Sequence, residues 1–379
     1  MAGCKDEWPA APAPAAEPPE TLVYTVSPPA GKLPWPLHNP GFTQAEYDKM
    51  MSNLFLINNF GQYQAGTTRE SAYFHDGLDV VAPNDTKIYA VDSGYVKAIT
   101  GTDPYYMTII IADVQKDEPG KGWTYTHVNN FKVQIGEHVP KGKHIADIHF
   151  QGVPHVHLNR AYLTSGTWFN WSDLNFVQPD SFFVYNDVDP PVIEHPFYYF
   201  RNNKDSMFTQ ANPTIVSGDI DIVVGLREQG EYAHAKAGAP GVPTDYGDRL
   251  SVSRVEWEVL SDGKQLYFRK SFDFSKIVIK YRPNDYPRVL TVYKYYPIIH
   301  PEGAGNYDKV LSCYVITNVD GTGVFGEIKT SDGDYAWNTR SLDVNGKPLF
   351  PNGRYAIKVT AYDARGNHAS EVDSVEVRN

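Results

Sequence analysis

The sequence predicts a mostly β protein: an antiparallel β-sheet domain followed by a β-sandwich domain. The composition, with 26 Tyr, 28 Pro and 30 Gly in 379 residues, suits turn-rich β structure better than helical bundles. Short alternating apolar runs separated by turn residues recur along most of the chain. The length exceeds what one compact core usually supports, so we expect two domains.

The N-terminal segment is predicted to begin with a flexible tether over residues 1–20. Residues 2–20 contain six Ala and five Pro and almost no branched aliphatic side chains, so they are unable to form a core. One helix is predicted farther on, from Thr43 to Leu56. Thr43 and Glu46 have the spacing of a capping box, which marks the start of a helix.

Strands are predicted next, and a pair of prolines divides them into two groups. Asp189-Pro190-Pro191 disfavours both helix and central strand, so we place the domain boundary there, giving domains at 21–188 and 189–379. The second group has the spacing of an immunoglobulin- or fibronectin-like sandwich. The predicted strands are 77–81, 87–91, 95–99, 107–112, 123–128, 144–148 and 156–161, then 220–226, 255–260, 277–281, 310–316 and 355–362. Residues 228–249, rich in Ala, Gly and Pro, are predicted to be an exposed insertion.

Charge and cysteine usage exclude several classes of protein. The net charge of -11 argues against binding to nucleic acid, which needs a concentrated basic patch. No apolar run approaches the roughly 20 residues needed to cross a bilayer. With only Cys4 and Cys313, a disulfide framework is not expected, and Cys313 is predicted to be a buried free thiol.

The start of the chain carries one indication of location. Ala2-Gly3-Cys4 resembles the end of a bacterial lipoprotein signal, in which small residues precede a cysteine that becomes lipidated. We therefore expect a protein of the cell envelope, periplasmic or extracellular, that is anchored through a lipid on Cys4. The alternative is a chance cysteine in a disordered tail.

Three short motifs place metal-capable residues two or four positions apart. They are His75-Asp76-Gly77-Leu78-Asp79, Tyr125-Thr126-His127 and His155-Val156-His157. In strands, even spacing puts side chains on one face, so three such motifs on neighbouring strands would bring four imidazoles and one carboxylate together. A catalytic zinc site uses three protein ligands of this kind and keeps one open position. Gly77 offers no side chain to obstruct a metal.

Each motif alone has an ordinary structural explanation. The first is also compatible with a turn-forming Asp-Gly beside a surface histidine, and an isolated His-x-His is more often two surface histidines than a site. Their combination favours a site, because seven of the twelve histidines lie between positions 75 and 157. His138, His144 and His149 have no predicted role, and isolated Asp-Gly pairs near Asp332 predict hairpin turns and no calcium site.

The ordered series HxGxD, YxH and HxH resembles the lysostaphin-type (LytM-like) zinc endopeptidases of bacterial cell walls. The resemblance covers about residues 55–163 and includes Phe60-Gly61, residues 90–96 and residues 133–143. It implies that the domain at 21–188 is an antiparallel β-sheet metallopeptidase that binds Zn²⁺. It further implies that His75, Asp79 and His157 are the metal ligands, and that His127 and His155 act on the catalytic water as general base or transition-state stabiliser.

Two stretches depart from the pattern of this family and put the choice of substrate in question. Residues 148–154 are shorter and bulkier than the usual Gly- and Ser-rich approach to the last motif. Leu158-Asn159-Arg160 replaces the aromatic and acidic pair often found after it. The motifs His-Glu-x-x-His and Gly-x-Ser-x-Gly are both absent, so helical-motif metalloproteases and serine hydrolases are not the template.

The leading hypothesis is a zinc-dependent endopeptidase that hydrolyses peptide cross-links of bacterial peptidoglycan. One alternative is a non-catalytic envelope scaffold that regulates other cell-wall hydrolases; another is a metallopeptidase that acts on protein substrates. Scaffold relatives typically lose zinc ligands, whereas this sequence keeps them all. The sequence leaves open the cleaved bond, which of His127 and His155 is the base, whether the cleft is covered, and the oligomeric state. It also leaves open whether the C-terminal domain is a spacer or binds the wall.

Overall fold

The computed structural model describes residues 22–64, 72–185, 187–228, 250–280, 285–299, 312–320 and 326–379. β-Strands are the predominant secondary structure of these residues, and the mostly β fold class is confirmed. The described helices are α1 (Gln44–Ser52), α2 (Tyr286–Val292) and α3 (Tyr296–Ile299). The tether with Cys4 and nearly all of the predicted insertion at 228–249 lie outside the described residues. None of the helices in the described ranges has the length and apolar character needed to span a bilayer.

Helix α1 begins at the predicted capping box and ends earlier than predicted. The Thr43 side chain accepts from the Glu46 backbone N–H, and the Glu46 carboxylate accepts from the Thr43 N–H. The helix ends at Ser52 and contains no buried residue. The end at Leu56 was wrong because the apolar residues that follow α1 leave the helix and enter the core, where Leu54 and Leu56 are fully buried.

Residues before position 189, here called the N-terminal region, form three antiparallel sheets. The largest has the order β1-β4-β12-β8-β7-β6-β10, with β13 added beside β12. The smaller sheets are β5-β11-β9 and β2-β3. The strands are β1 (Leu56–Asn58), β2 (Tyr63–Gln64), β3 (Tyr73–Phe74), β4 (Leu78–Val81), β5 (Lys87–Tyr89), β6 (Gly94–Thr100), β7 (Thr108–Ala112), β8 (Gly120–Thr126), β9 (Val128–Asn129), β10 (His138–Val139), β11 (His144–Ile148), β12 (His155–Leu163) and β13 (Leu174–Val177).

Strand β12 lies between β4 and β8, and its register sets the position of the last motif. His157 is opposite Asp79 on β4 and opposite Thr126 on β8. The neighbouring residues Val156 and Leu158 point to the other face, where both are fully buried. The alternation along β12 therefore directs apolar side chains to the core and imidazoles away from it.

Residues from 189 onward, here called the C-terminal region, form two sheets. One has the order β14-β16-β19, with β20 beside β16; the other has the order β15-β22-β21-β17-β18. Apolar residues of both sheets belong to one buried cluster, which is the arrangement of a β-sandwich. The strands are β14 (Val192–Arg201), β15 (Thr214–Val216), β16 (Asp219–Arg227), β17 (Arg254–Ser261), β18 (Lys264–Asp273), β19 (Ser312–Val315), β20 (Trp337–Asn338), β21 (Gly353–Tyr362) and β22 (His368–Val377).

One predicted strand of this region, 277–281, is wrong in its described part. Ile277 and Ile279 make isolated bridges only, and the partner of Ile279 is Phe176 of the N-terminal region. Both backbone hydrogen bonds of that bridge are present, at 2.7 and 2.9 Å. The alternating apolar residues of this segment are buried between the two regions, and they do not form a strand of a sheet. Cys313 is buried in β19, as predicted.

The two regions share a continuous core. The largest buried cluster contains Phe60, Phe74 and Phe176 from the N-terminal region together with Phe274 and Tyr293 from the C-terminal region. Phe274 meets Phe60 and Phe74 edge-to-face, with ring centroids 6.4 and 6.3 Å apart. The domain boundary at 188/189 stays a prediction, and we propose that each side of it contributes to the core of the other.

A buried carboxyl group in the sandwich gives stability a pH dependence. Asp221 lies in β16 and is 3% exposed; its Oδ2 accepts from the Asn203 N–H at 3.0 Å. Among the described residues, its Oδ1 has no hydrogen-bond partner. Burial raises the pKa of Asp221 to about 7, against smaller opposing effects of the Asn203 hydrogen bond and the Lys294 charge. The folded protein therefore favours the protonated carboxyl group.

We predict that Asp221→Asn stabilises the protein at pH 8 and has much less effect at pH 4.5. Because the folded pKa lies above the unfolded value, wild-type stability falls as pH rises from about 4 to about 7, by on the order of 3 kcal/mol. Asparagine keeps the acceptor and carries no charge. Urea unfolding of both proteins at the two pH values measures the difference. Asp219→Asn, an exposed residue of the same strand, is the control, and an equal effect of Asp221→Asn at both pH values would contradict the prediction.

Candidate metal centre

The structure brings all five predicted site residues to one cleft, by three different local conformations. His155 and His157 lie on one face of β12, as their spacing predicts. Asp79 faces them from β4. His75, however, lies in the connection between β3 and β4, so the prediction that His75 and Asp79 share a strand face is wrong. His75 is held in that connection by backbone hydrogen bonds to Gly61 and Gln62, each 2.8 Å long.

His127 reaches the cleft by a turn in the backbone. It follows the last residue of β8 and has a φ of 65°, in the left-handed region. Tyr125, two residues earlier, is fully buried in the core, and its hydroxyl accepts from the Val91 N–H. Tyr125 and His127 therefore do not share a strand face as predicted. The left-handed residue turns the imidazole towards His155, with ring centroids 4.6 Å apart.

Three donor atoms converge at the base of the cleft. His75 Nε2 is 3.2 Å from Asp79 Oδ1, and His157 Nδ1 is 2.7 Å from the same oxygen. Ligand atoms of these three residues all lie within 4.8 Å of one another. His155 Nε2 is slightly farther, 3.5 Å from Asp79 Oδ1. The side chains of His75, Asp79 and His157 are at most 12% exposed.

Backbone carbonyl groups fix the orientation of three of the imidazoles. Because a carbonyl oxygen only accepts hydrogen bonds, Nδ1 carries the proton in each ring and Nε2 is left as the free, basic nitrogen. The acceptors are Asn59 O for His75 at 3.0 Å, Tyr105 O for His127 at 2.7 Å and Val153 O for His155 at 2.7 Å.

His157 has the opposite orientation, and a second carboxylate sets it. Its Nε2 is 2.9 Å from Asp76 Oδ1, which leaves Nδ1 facing Asp79. The Asn159 amide donates to Asp76 Oδ1 at 2.9 Å, and the Thr124 hydroxyl holds the Asn159 amide oxygen. Sequence reasoning missed Asp76. The available signal was its position inside the first motif, directly after His75.

Asp79 is also oriented by a residue that the motifs do not include. Asn58, its neighbour in register on β1, donates from Nδ2 to Asp79 Oδ2 at 2.5 Å. Gln62 in turn donates to Asn58 Oδ1 at 3.1 Å. Asp79 Oδ1 is thereby directed towards His75 and His157. Asn58 precedes Phe60-Gly61 closely, but its role depends on the β1–β4 pairing and no local pattern reveals it.

The electrostatic environment separates an ionised carboxylate from two neutral imidazoles, those of His127 and His155. Burial opposes the charged form of His157, but hydrogen bonds to Asp76 and Asp79 outweigh it and raise the pKa of His157 to about 10. Burial opposes ionisation of Asp79, but His75, His155 and His157 outweigh it and hold the pKa of Asp79 well below its usual range. Burial, with a smaller effect of His155, lowers the pKa of His127 to about 3. Burial also lowers the pKa of His155. Both histidines are therefore neutral at neutral pH, the form that accepts a proton.

Aromatic side chains line the cleft, whose volume is about 490 Å³. Tyr73 and Trp171 lie along it, together with Tyr106 and Phe150. The Phe150 ring contacts both His127 and His155, with centroids 4.3 and 4.9 Å apart. Phe150 belongs to the segment at 148–154, which is bulkier than the corresponding segment of the family it resembles. This segment therefore forms part of the cleft wall beside His127 and His155.

The absence of a side chain at Gly77 is required by its close packing against β12. A Cβ atom at position 77 would lie 2.6 Å from the Leu158 carbonyl oxygen and 2.9 Å from the Asn159 amide nitrogen. The space beside Gly77 is thus occupied by β12. The glycine allows the β3–β4 connection to approach that strand closely.

The donor set fits a zinc ion. Two imidazole nitrogens and one carboxylate oxygen converge, and each ligand has an outer partner: the Asn59 carbonyl for His75, Asn58 for Asp79 and Asp76 for His157. Outer partners of this kind are typical of metal-binding histidines and carboxylates. Three ligands leave one coordination position open, which is the arrangement of catalytic zinc sites.

The chain is similar to known proteins over part of its length. No curated protein matches the chain. Similar solved structures include a protein from Pseudomonas aeruginosa assigned to peptidase M23, with 20% identity over 37% of this chain and 49% of that chain (TM-score 0.22). This chain thus spans about half the length of that relative.

Two further structures are catalytic domains. One is a mutant catalytic domain of the prophage-encoded M23 protein EnpA from Enterococcus faecalis, with 21% identity over 34% of this chain and 89% of that chain (TM-score 0.26). The other is that of the antimicrobial peptidase lysostaphin from Staphylococcus simulans, with 21% identity over 35% of this chain and 95% of that chain (TM-score 0.28). The sequence profile of peptidase family M23 matches residues 73–167, the segment that contains all five site residues. Residues 73–167 of this chain form a peptidase family M23 domain.

Proposed function

We propose that the protein is a zinc-dependent endopeptidase that hydrolyses peptide cross-links of bacterial peptidoglycan. The observation that carries the proposal is the convergence of His75 Nε2, Asp79 Oδ1 and His157 Nδ1 beside two neutral histidines in one cleft. The first three are the proposed ligands. His127 and His155 are the proposed catalytic residues.

The chain's own residues define how a peptide would be cleaved. When bound, zinc would polarise the scissile carbonyl group and acidify a water molecule. His127 and His155 each direct a basic Nε2 into the cleft, because Nδ1–H is bonded to a backbone carbonyl. A neutral Nε2 accepts the proton of the attacking water, and the resulting imidazolium stabilises the oxyanion and donates a proton to the leaving amine.

The proposed substrate follows from the family and from the form of the cleft. The motifs resemble those of cell-wall endopeptidases, and one similar solved structure is the catalytic domain of an antimicrobial peptidase. The open, aromatic-lined cleft suits an extended peptide. Location in the cell envelope, with a lipid on Cys4, is part of the proposal and is consistent with a wall substrate.

The non-catalytic alternative is less well supported. A scaffold needs neither basic imidazoles nor a metal, yet the site keeps three convergent ligands and two neutral histidines with oriented Nε2 atoms. A metallopeptidase acting on proteins would use the same site, so the choice of substrate decides between the two enzymatic proposals.

We predict that His75→Ala and His155→Ala separate metal binding from catalysis. His75→Ala removes a ligand, so both zinc and cleavage are lost. His155→Ala keeps zinc at one ion per chain and lowers kcat by about 10²–10⁴-fold, since a proton-transfer group is removed. Metal analysis and mass spectrometry of digested wall fragments measure the two effects, with the exposed His195→Ala as control.

Other results would contradict this proposal in identifiable ways. Intact wall fragments in the presence of stoichiometric zinc would exclude the peptidoglycan substrate. Cleavage of unfolded proteins by the same sample would then favour the protein-directed peptidase. Undiminished cleavage by His155→Ala and by His127→Ala would remove both histidines from the mechanism.

We predict that Asp76 strengthens zinc binding without contacting the ion. Asp76→Ala leaves His157 Nε2 without its carboxylate partner, so the affinity for zinc should fall about 10–100-fold. Asp76→Asn retains an oxygen acceptor, and its loss should be smaller. Competition with a chromophoric chelator measures the dissociation constants. Wild-type affinity in Asp76→Ala would show that the Asp76–His157 hydrogen bond does not affect the site.

A further inference from the structure

The connection at residues 58–62, here called the brace loop, contacts two of the proposed ligands. Asn58 donates to Asp79 Oδ2, and the Asn59 carbonyl oxygen accepts from His75 Nδ1 at 3.0 Å. His75 is also joined to the loop through two backbone hydrogen bonds. The position of the brace loop therefore sets the direction of His75 Nε2 and Asp79 Oδ1.

A residue of the C-terminal region holds the brace loop from the opposite side. Ser251 makes three hydrogen bonds with the Asn59 side chain, although the two residues are 192 positions apart. The Asn59 amide donates to Ser251 O at 2.8 Å, while the Ser251 N–H and hydroxyl both donate to Asn59 Oδ1 at 2.9 Å. Asn59 is 8% exposed and Ser251 is 2% exposed, so water competes little for these groups.

Two further side chains of the C-terminal region contact the same loop. The Tyr293 hydroxyl donates to Gly61 O at 2.8 Å. The Phe274 ring lies so close to Gly61 that an added Cβ atom would be 2.5 Å from a ring carbon, and Gly61 has a φ of 83°. The loop is thus held by hydrogen bonds and by close packing, and neither comes from the matched M23 segment.

We propose that Asn59 and Ser251 are positioning residues of the metal centre and that the C-terminal region is a structural part of that centre. The proposal rests on the zinc site of the proposed function. It adds a role in the metal centre to the spacer and wall-binding roles that the sequence leaves open for the C-terminal region. Ser251 holds the Asn59 side chain by hydrogen bonds, and the Asn59 carbonyl oxygen accepts from His75 Nδ1. His75 Nε2 is thereby directed to the place of the ion.

The physical basis is the cost of leaving buried polar groups unpaired. Without the Asn59 side chain, the Ser251 N–H and C=O would both lose a buried hydrogen-bond partner, which is unfavourable. The brace loop would move to recover hydrogen bonds. A shift of a few tenths of an ångström at His75 already departs from the tolerance of about 0.2 Å for metal–ligand distances.

The test compares zinc affinities of full-length variants by competition with a chromophoric chelator. For Asn59→Ala we expect an affinity about tenfold or more below wild type, in the range of losses caused by outer-sphere changes. For Ser251→Ala we expect a smaller loss, because the Ser251 N–H and C=O remain. The double variant should show less than the sum of the two losses, since both changes break the same contact.

A matched control lies in the same interface. Gln178 donates to the Ser253 hydroxyl at 3.2 Å across the two regions, and among the described residues this side-chain contact involves no residue of the brace loop. Gln178→Ala should bind zinc within about twofold of wild type, as expected for a site that does not share partners with the metal centre. Ser251→Ala removes a single hydroxyl, so it remains informative if Asn59→Ala fails to fold.

The second readout is the absorption spectrum of the cobalt-substituted protein, which reports ligand geometry and not stability. We expect an altered d–d band in Asn59→Ala and an unchanged one in Gln178→Ala. Wild-type affinity and spectrum in folded Asn59→Ala and Ser251→Ala would overturn the proposal. Weakened zinc binding in these variants together with no hydrolysis by wild type would support the positioning role and reject the proposed activity. Failure of wild type to bind zinc would overturn both.

Discussion

The pairing of β12 with β4 is the constraint on which the rest of the site depends. It places His157 level with Asp79 and at the same time buries Val156 and Leu158 against the core. A slip of one residue would exchange the two faces, moving an imidazole into the core and a valine into the cleft. Apolar burial therefore fixes the register, and the register fixes the distance between two proposed ligands.

Around that pair, the imidazoles are oriented by backbone groups that lie outside the strands. The carbonyl oxygens that orient His75, His127 and His155 come from three separate connections. Each sets Nδ1 as the protonated nitrogen, so the backbone determines which nitrogen is basic. An ionised Asp79 is tolerated in the interior because the imidazoles surround it. The site is thus organised by the folded backbone as much as by the motif residues.

The sequence predicted that the five residues would come together better than it predicted how they meet. Even spacing describes His155 and His157 correctly, whereas His75 belongs to a connection and His127 depends on a left-handed backbone conformation. The predicted strand positions are close to those of the structure, because alternating apolar and polar residues indicate directly which side chains are buried. The segment at 277–281 was misread for the same reason: it is buried by the other region and pairs with Phe176. Contacts such as Asn59–Ser251 have no local signature, because they join residues 192 positions apart.

The two walls of the cleft differ in how they pack against the shared core. Trp171 packs against the buried cluster common to both regions, as does Tyr63 next to the lining residue Gln64. Tyr106 and Phe150 form the other wall; Tyr106 is 56% exposed and stacks edge-to-face on Phe150. Fewer buried contacts restrain the second wall, so it has more freedom to adapt to a substrate. Because Phe150 also contacts His127 and His155, adaptation of that wall is coupled to the two basic nitrogens.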